Sequence, residues 1–364
     1  MQAEARACDI AGRHASRNSF APDLPCDPKM TQAQTTTPAI DNSEKRDAPS
    51  AGSAAQLIER LTQNIESVFQ GKSEVVRLAV TCLLADGHLL VEDVPGVGKT
   101  LLGRAIAGSL GLKFSRVQFT SDLLPADIIG VNVFDQRIGE FVFKAGPIFA
   151  NIVLADEINR TAPRTQSSLL EAMAERRVSV DDKTHVLEPP FLVIATQNPL
   201  ESHGTYPLPE SQLDRFLMRL SVGYPARAVE SDLLRTRTSA EPIDRIETVL
   251  TGEMLRSLQR QVDRVRFDDS LVDYVMDIVE ATRSTARLAV GVSTRGALAL
   301  KRSARAYALV CGRTFVTPDD IKLLVPPVLA HRVSMGSGET VVGSSRAAAE
   351  SLLRELMSRI EVPV

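Results

Sequence analysis

The strongest constraint on the fold is a series of short apolar runs at residues 88–91, 117–119, 152–155, 191–195 and 216–220. They are short and apolar on both faces, the pattern of buried parallel strands rather than of amphipathic helices. Helical or looped segments separate them, so the chain reads as an α/β sheet with crossover connections. Two helices are expected ahead of the first run, in AAQLIERLTQNIESVFQ and EVVRLAVTCLLAD, with Gly71 and Lys72 between them. After Pro225 the pattern turns to helix upon helix. Leu271, Tyr274, Val275, Ile278 and Val279 recur at helical spacing. Thr317-Pro318-Asp319-Asp320 has the form of a capped helix start, and a last helix is expected over 344–360. Residues 1–53, with isolated large apolar side chains, cannot bury enough surface to offset their ordering entropy and are expected to form a disordered tail. Met30 within it is an alternative start of translation.

The first apolar run empties into DVPGVGKT, followed by the helical stretch LLGRAIAGSL. Strand, glycine-rich loop and helix N-terminus make an anion site in which loop amides turn inward. Its residues are Asp93-Val94-Pro95-Gly96-Val97-Gly98-Lys99-Thr100, running into Leu101. Gly96 and Gly98 let the backbone curl close to a phosphate. Lys99 would reach the β- and γ-phosphates, and Thr100 would ligate the metal. The strict pattern has glycine at position 93. Aspartate tolerates a left-handed turn there, provided its charge points away from the phosphates. A glycine-rich helix entry without a ligand is the competing reading of this loop taken by itself.

Three further strand ends carry chemistry. NIVLADEINR puts Asp156 and Glu157 at the tip of one, where an aspartate suits an outer Mg²⁺ ligand and a glutamate can orient or deprotonate a water. PFLVIATQNP ends in Thr196 and Asn198, a polar amide for the water or γ-phosphate; a simple turn is the alternative. Arg215, in LPESQLDRF, suits the phosphate of a neighbouring subunit, and Arg295, in GVSTRGALAL, opens a helix capped by Ser293 or Thr294 from which it could swing over the γ-phosphate. Taken alone, an arginine in either place is more often a surface ion pair.

Composition narrows the class. The 364 residues are 44% hydrophobic and 24% charged with a net charge of −3, so no basic field for gripping nucleic acid is present. No apolar run reaches the length of a membrane span and no signal-peptide core stands at the N-terminus, which points to the cytoplasm. Cys8, Cys26, Cys82 and Cys311 form no cluster, and none of His14, His88, His185, His203 and His331 sits in zinc-ligand spacing.

Taken in order, VEDVPGVGKT, VQFTSDLLPADIIG, LADEINRTAPRTQSSLLEAM, FLVIATQNP, YPLPESQLDRF and GVSTRGALAL resemble an AAA+ ATPase, and more closely the MoxR family, over residues 55–362. The resemblance implies an α/β P-loop NTPase core with a three-layer parallel sheet over 54–224 and a smaller all-α lid domain over 225–364. It implies ATP and Mg²⁺ as ligands. It assigns Lys99 and Thr100 to Walker A, Asp156 and Glu157 to Walker B, Asn198 to sensor 1, Arg215 to the arginine finger and Arg295 to sensor 2. Gly71 falls where the family has a turn near the adenine. It also implies a homo-oligomeric ring, by family pattern a hexamer. Within it the work is chaperone-like, on a partner protein typically carrying a von Willebrand factor A domain, or in metal-cofactor insertion. VNVFDQRIGEFVF and RRVSVDDKTHVLEPPF match the hairpins that such rings project towards partners. Arg176, Arg177 and Lys183 near the second could be taken as nucleic-acid contacts, but Asp181, Asp182 and Glu188 offset them. Two other classes stay open: a nucleotide-gated scaffold with negligible hydrolysis, and a nucleic-acid motor.

Overall fold

The computed structural model describes residues 51–199, 204–236, 242–336 and 345–363. Nearly all of the expected tail (residues 1–50), with Cys8, Cys26 and His14, lies outside the described residues, as does His203.

Two helices lead in: α1 (Ala51–Val68), starting three residues earlier than expected, and α2 (Ser73–Leu84). Then come β1 (Leu89–Glu92), α3 (Lys99–Ser109), β2 (Phe114–Gln118) and the short α4 (Pro125–Ile129). A hairpin of β3 (Gly130–Asp135) and β4 (Glu140–Ala145) precedes β5 (Ile152–Asp156) and α5 (Pro163–Glu175). A second hairpin, β6 (Arg177–Val180) and β7 (Lys183–Val186), precedes β8 (Leu192–Gln197). The turn α6 (Glu210–Leu213) then feeds β9 (Met218–Leu220).

Strands β1, β2, β5, β8 and β9 form a five-stranded sheet in the order β2-β5-β8-β1-β9, and every pairing is parallel. Alternate side chains go to opposite faces, and both faces are buried. Leu89, Val91, Leu154 and Ile194 join the cluster of α1, α2 and α3. Leu90, Val153, Val193 and Ala195 join Leu169, Leu170 and Met173 of α5. Two-sided burial is why these runs read as apolar throughout, and it makes the core three-layered. The chain jumps from β1 to the far edge and marches back, so the crevice at the carboxyl ends beside β1 is the place where such sheets bind ligands.

The helical half comprises α7 (Arg227–Thr236), α8 (Gly252–Val262), α9 (Asp269–Ser284), β10 (Leu288–Val290), α10 (Thr294–Val310), α11 (Pro318–Leu329), β11 (Ser334–Met335) and α12 (Ser345–Met357). The capped start at Thr317 is present: Thr317 N–H donates to Asp320 Oδ2 at 2.8 Å. Among the described residues this half is helical, with the antiparallel ribbon of β10 and β11 and a single bridge between Arg266 and Phe315 added to the all-α expectation. Three- and two-residue strands carry no periodicity to read. The apolar cluster under α1–α3 continues without a break through Leu255, Tyr274, Ile278, Leu300 and Leu324. Among the described residues, no helix is long and apolar enough to cross a membrane.

The two hairpins lean on each other. Asn132 Nδ2 donates to Asp181 Oδ2 at 2.6 Å, and Phe143 stacks on His185 at 3.9 Å. Arg176 is not part of a basic hairpin surface: its guanidinium turns back to Asp86, 2.8 Å away.

Candidate functional site

The phosphate loop grows directly out of the sheet. Asp93 N–H donates to Gln197 O at 3.1 Å, extending the β1–β8 ladder by one residue. The chain then curls through Gly96 (φ 85°) and Gly98 (φ 92°), both left-handed. A Cβ on Gly98 would also press on the Phe69 ring at 3.1 Å. Helix α3 starts at Lys99, and its first bond back to the loop is Leu102 N to Gly98 O at 3.0 Å. Amides ahead of that bond face out of the helix end, where they and the macrodipole favour an anion. Lys99 Nζ donates to Asp93 O at 2.8 Å, across the mouth of the loop. Val94, Thr100 and Leu101 are half-buried, Pro95 is exposed and Val97 is buried.

Asp93 corrects the sequence reading. It is not among the residues of positive φ, so it does not stand in for a left-handed glycine. Its side chain turns inward and is 8% exposed. Oδ2 accepts from Val222 N at 2.7 Å, Gly223 N at 2.5 Å and Ser221 Oγ at 3.0 Å; Oδ1 accepts from Val94 N at 2.8 Å. Burial pushes this carboxyl upward, but the Gly223, Val94 and Val222 amides and the Ser221 hydroxyl outweigh it and hold it below the ordinary value. The loop is thereby tied to the strand leaving β9.

Asp156 and Glu157 sit at the tip of β5, and Thr196 of β8 aligns them. The Thr196 hydroxyl donates to Asp156 Oδ1 at 2.7 Å and accepts from Glu157 N–H at 2.9 Å. Glu157 is left-handed (φ 57°, ψ 50°), a conformation an L residue holds only when its surroundings impose it. Its Oε2 accepts from Gln118 Nε2 at 3.0 Å and pairs with Arg160 Nε at 2.9 Å. Asp156 Oδ2 is held by Arg116 Nη2 at 2.6 Å and Nε at 3.1 Å. Asn198, just past β8, is buried. Strands β1, β8 and β5 are consecutive neighbours, so two spacings, about 10 Å, separate the loop from the acid pair. Gly71 (φ 75°) lies on the lid side of this crevice; a Cβ there would meet Val229 of α7 at 3.0 Å, and neighbouring Lys72 Nζ donates to Tyr224 O at 2.7 Å.

Arg215 and Arg295 are not brought to this crevice. Leu217 N–H donates to His88 O at 2.8 Å, so the segment carrying Arg215 lies at the amino end of the sheet. Residues 88–93, at about 3.3 Å each, place that end about 16 Å from the loop. Arg215 Nη1 donates to Leu170 O at 2.6 Å and lines a polar cleft of about 410 Å³ with Glu171, Glu175, Arg177, Ser179 and Thr184. Arg295, on the first turn of α10 behind the Ser293 cap, pairs with Asp214 at 3.6 Å. The expectation that it reaches over the γ-phosphate of its own chain is therefore corrected: the start of α10 docks at the edge away from the phosphate loop.

Sequence reasoning passed over Arg116, Gln118, Asp214, Ser221 and Arg332. Only the first two had a local signal, since residues two apart on an edge strand share a face.

Residues 88–218 match the model of the ATPase family associated with various cellular activities (AAA), and residues 280–351 match the AAA lid domain. The chain is 49% identical over 308 residues to the uncharacterised protein YeaC of Bacillus subtilis, covering 85% of this chain and 95% of that one. It is 42% identical over 305 residues to the chaperone MoxR1 of Mycobacterium tuberculosis, covering 80% of each. A crystal structure of a suspected ATPase from Cytophaga hutchinsonii superposes with a TM-score of 0.78 at 32% identity, over 86% of this chain and 97% of that one. A phosphate loop at a sheet crevice, a helical lid and relatives of this extent agree: the chain belongs to the MoxR family of chaperone-like AAA+ ATPases.

Proposed function

We propose that the chain hydrolyses ATP as a ring of identical subunits, a hexamer by family pattern, and uses the motion to remodel or activate a partner protein. The observation that carries this reading is the distance between the sheet edges. Lys99, Asp156, Glu157 and Asn198 share the carboxyl end, while the segment carrying Arg215, with the Asp214 that pairs with Arg295, belongs to the amino end about 16 Å away along β1. A triphosphate on the loop meets those arginines only if a second copy presents them.

In this reading the loop amides and Lys99 bind the β- and γ-phosphates, with Lys99 leaving the Asp93 carbonyl. Asn198 positions the attacking water or the γ-phosphate, and Glu157 orients that water or takes its proton. Arg215 of the neighbour meets the charge that develops on the transferred group, and Arg295 acts from the same side. Magnesium suits the donors present, a hydroxyl and a carboxylate. Arg116, which occupies Asp156 Oδ2, has a side chain 51% exposed and is free to swing away. Thr100 and Asp156 would hold the ion, which when bound neutralises charge on phosphate oxygens. The hold of Gln118 and Arg160 on Glu157 favours slow basal turnover that a partner accelerates.

The β3–β4 hairpin, which exposes Phe134, Ile138 and Phe141, is the surface we assign to the partner, typically a protein with a von Willebrand factor A domain or one receiving a metal cofactor. Turnover of the wild type against Glu157→Gln tests the hydrolysis. Equal, near-zero rates would leave the scaffold reading instead. Capture with ATP-loaded Glu157→Gln tests the partner: a von Willebrand-type protein supports the reading, and nucleic acid alone overturns it.

A further inference from the structure

The segment that presents Arg215 is gripped by two adjacent buried side chains of the lid: His331, whose Nε2 lies 3.0 Å from Phe216 O, and Arg332, which makes most of the contacts. Arg332 follows α11, and its side chain is 3% exposed. Nε donates to Asp214 Oδ1 at 2.7 Å, and Nη2 donates to Asp214 O at 3.3 Å and to Phe216 O at 2.7 Å. Nη1 donates to Leu217 O at 3.1 Å and to Val328 O. The residues on either side of Arg215 are thus hydrogen-bonded to the same guanidinium. The same group reaches the other arginine as well. Asp214 pairs with Arg295, and a Cβ on Gly296 would lie 3.1 Å from Arg332 Cδ, so the first turn of α10 rests on the Arg332 stem.

We propose that Arg332 is a positioning residue for catalysis between subunits, fixing Arg215 and Arg295 as one rigid unit that is offered to the neighbouring subunit's triphosphate. The planar fork is what the task requires, because it satisfies a carboxylate and several carbonyls in fixed directions. Lysine keeps the charge and loses the fork. Asp214 also stands between two cations, so lid movement at Arg332 is transmitted to both arginines together.

This inference rests on the reading that Arg215 acts in trans, and the test separates the two. Arg332→Lys is expected to bind ATP with an affinity close to wild type while kcat falls about 10²-fold, the usual cost of misplacing a reacting group by about 1 Å. Mixing it with Glu157→Gln subunits, which retain nucleotide and an intact Arg215, should restore turnover, because the intact Walker site of one meets the correctly held arginine of the other. A purely structural defect within the Arg332→Lys subunit would gain nothing from the mixture. Arg215→Ala mixed with Glu157→Gln is the control. If the control recovers and the Arg332→Lys mixture does not, the inference falls and the trans reading stands; if neither recovers, both fall. Arg332→Gln is run in parallel. Wild-type kcat in either variant, or failure of both to fold, would overturn the assignment by leaving Arg332 a role in the fold alone.

Discussion

Replacing Asp93 with glycine restores the strict phosphate-loop pattern, and the structure says the change is harmful. The carboxylate satisfies three amides and a hydroxyl from a position 8% exposed, without a left-handed backbone. Removing it leaves the Val222 and Gly223 amides without an acceptor, at about 1–3 kcal/mol each. Glycine adds about 0.5–1 kcal/mol of backbone entropy. With water entering to offset part of this, about 3–4 kcal/mol remains, or a Tm lower by roughly 5–6 °C for a folded unit of about 300 residues. Asp93→Asn isolates the charge. A carboxyl held below its ordinary value contributes stability that is full above the unfolded value, about 3.9, and is lost as pH falls through the folded value. Urea unfolding should therefore show Asp93→Asn less stable than wild type at pH 7, with the gap closing below about pH 4. If Asp93→Gly were as stable as wild type or more so, Asp93 would be a tolerated substitute for glycine and the latch account would be wrong.

Thr196→Val keeps the shape of the side chain but leaves Asp156 Oδ1 and Glu157 N–H without their shared hydroxyl. Turnover should fall about 10²-fold with ATP affinity little changed, read by steady-state kinetics against nucleotide titration. Arg116→Ala removes a cation that competes for Asp156 Oδ2; since the arginine side of the pair is half exposed, the Mg²⁺ concentration for half-maximal ATPase should drop by at most about fivefold. His88 is buried, which pulls its pKa down to about 4, with Nδ1 accepting from Val193 N at 3.0 Å. The unfolded imidazole protonates first, so stability should decline by up to about 1.4 kcal/mol per pH unit from about pH 6.5 down to about 4, and His88→Gln should flatten that slope in urea unfolding.

The cluster of strand tips at the candidate site was legible because its parts are local. A glycine loop between strand and helix, an acid pair at a strand tip and an amide after another strand each declare themselves within ten residues. Parallel pairing then brings those tips together, and β1, β8 and β5 do lie side by side. What escaped reading depends on docking between distant segments. Arg332 meets Asp214 across 118 positions, and no local pattern marks either. Arg295 was legible as the start of a capped helix, but which edge of the sheet that helix reaches is decided by the packing of α10 on α2 and α11. Asp93 was legible as an irregularity, and its meaning lay in the strand exit at Ser221–Gly223, which the sequence does not place beside it.

Protein-concentration dependence of the specific ATPase rate tests the shared site most directly. With Arg215 and Arg295 stationed far from their own loop, the rate per subunit should climb as dilute protein is concentrated and level off as light scattering registers the assembled ring. A rate per subunit that stays constant down to dilutions where only single chains scatter would contradict it, because one chain would then be hydrolysing ATP unaided.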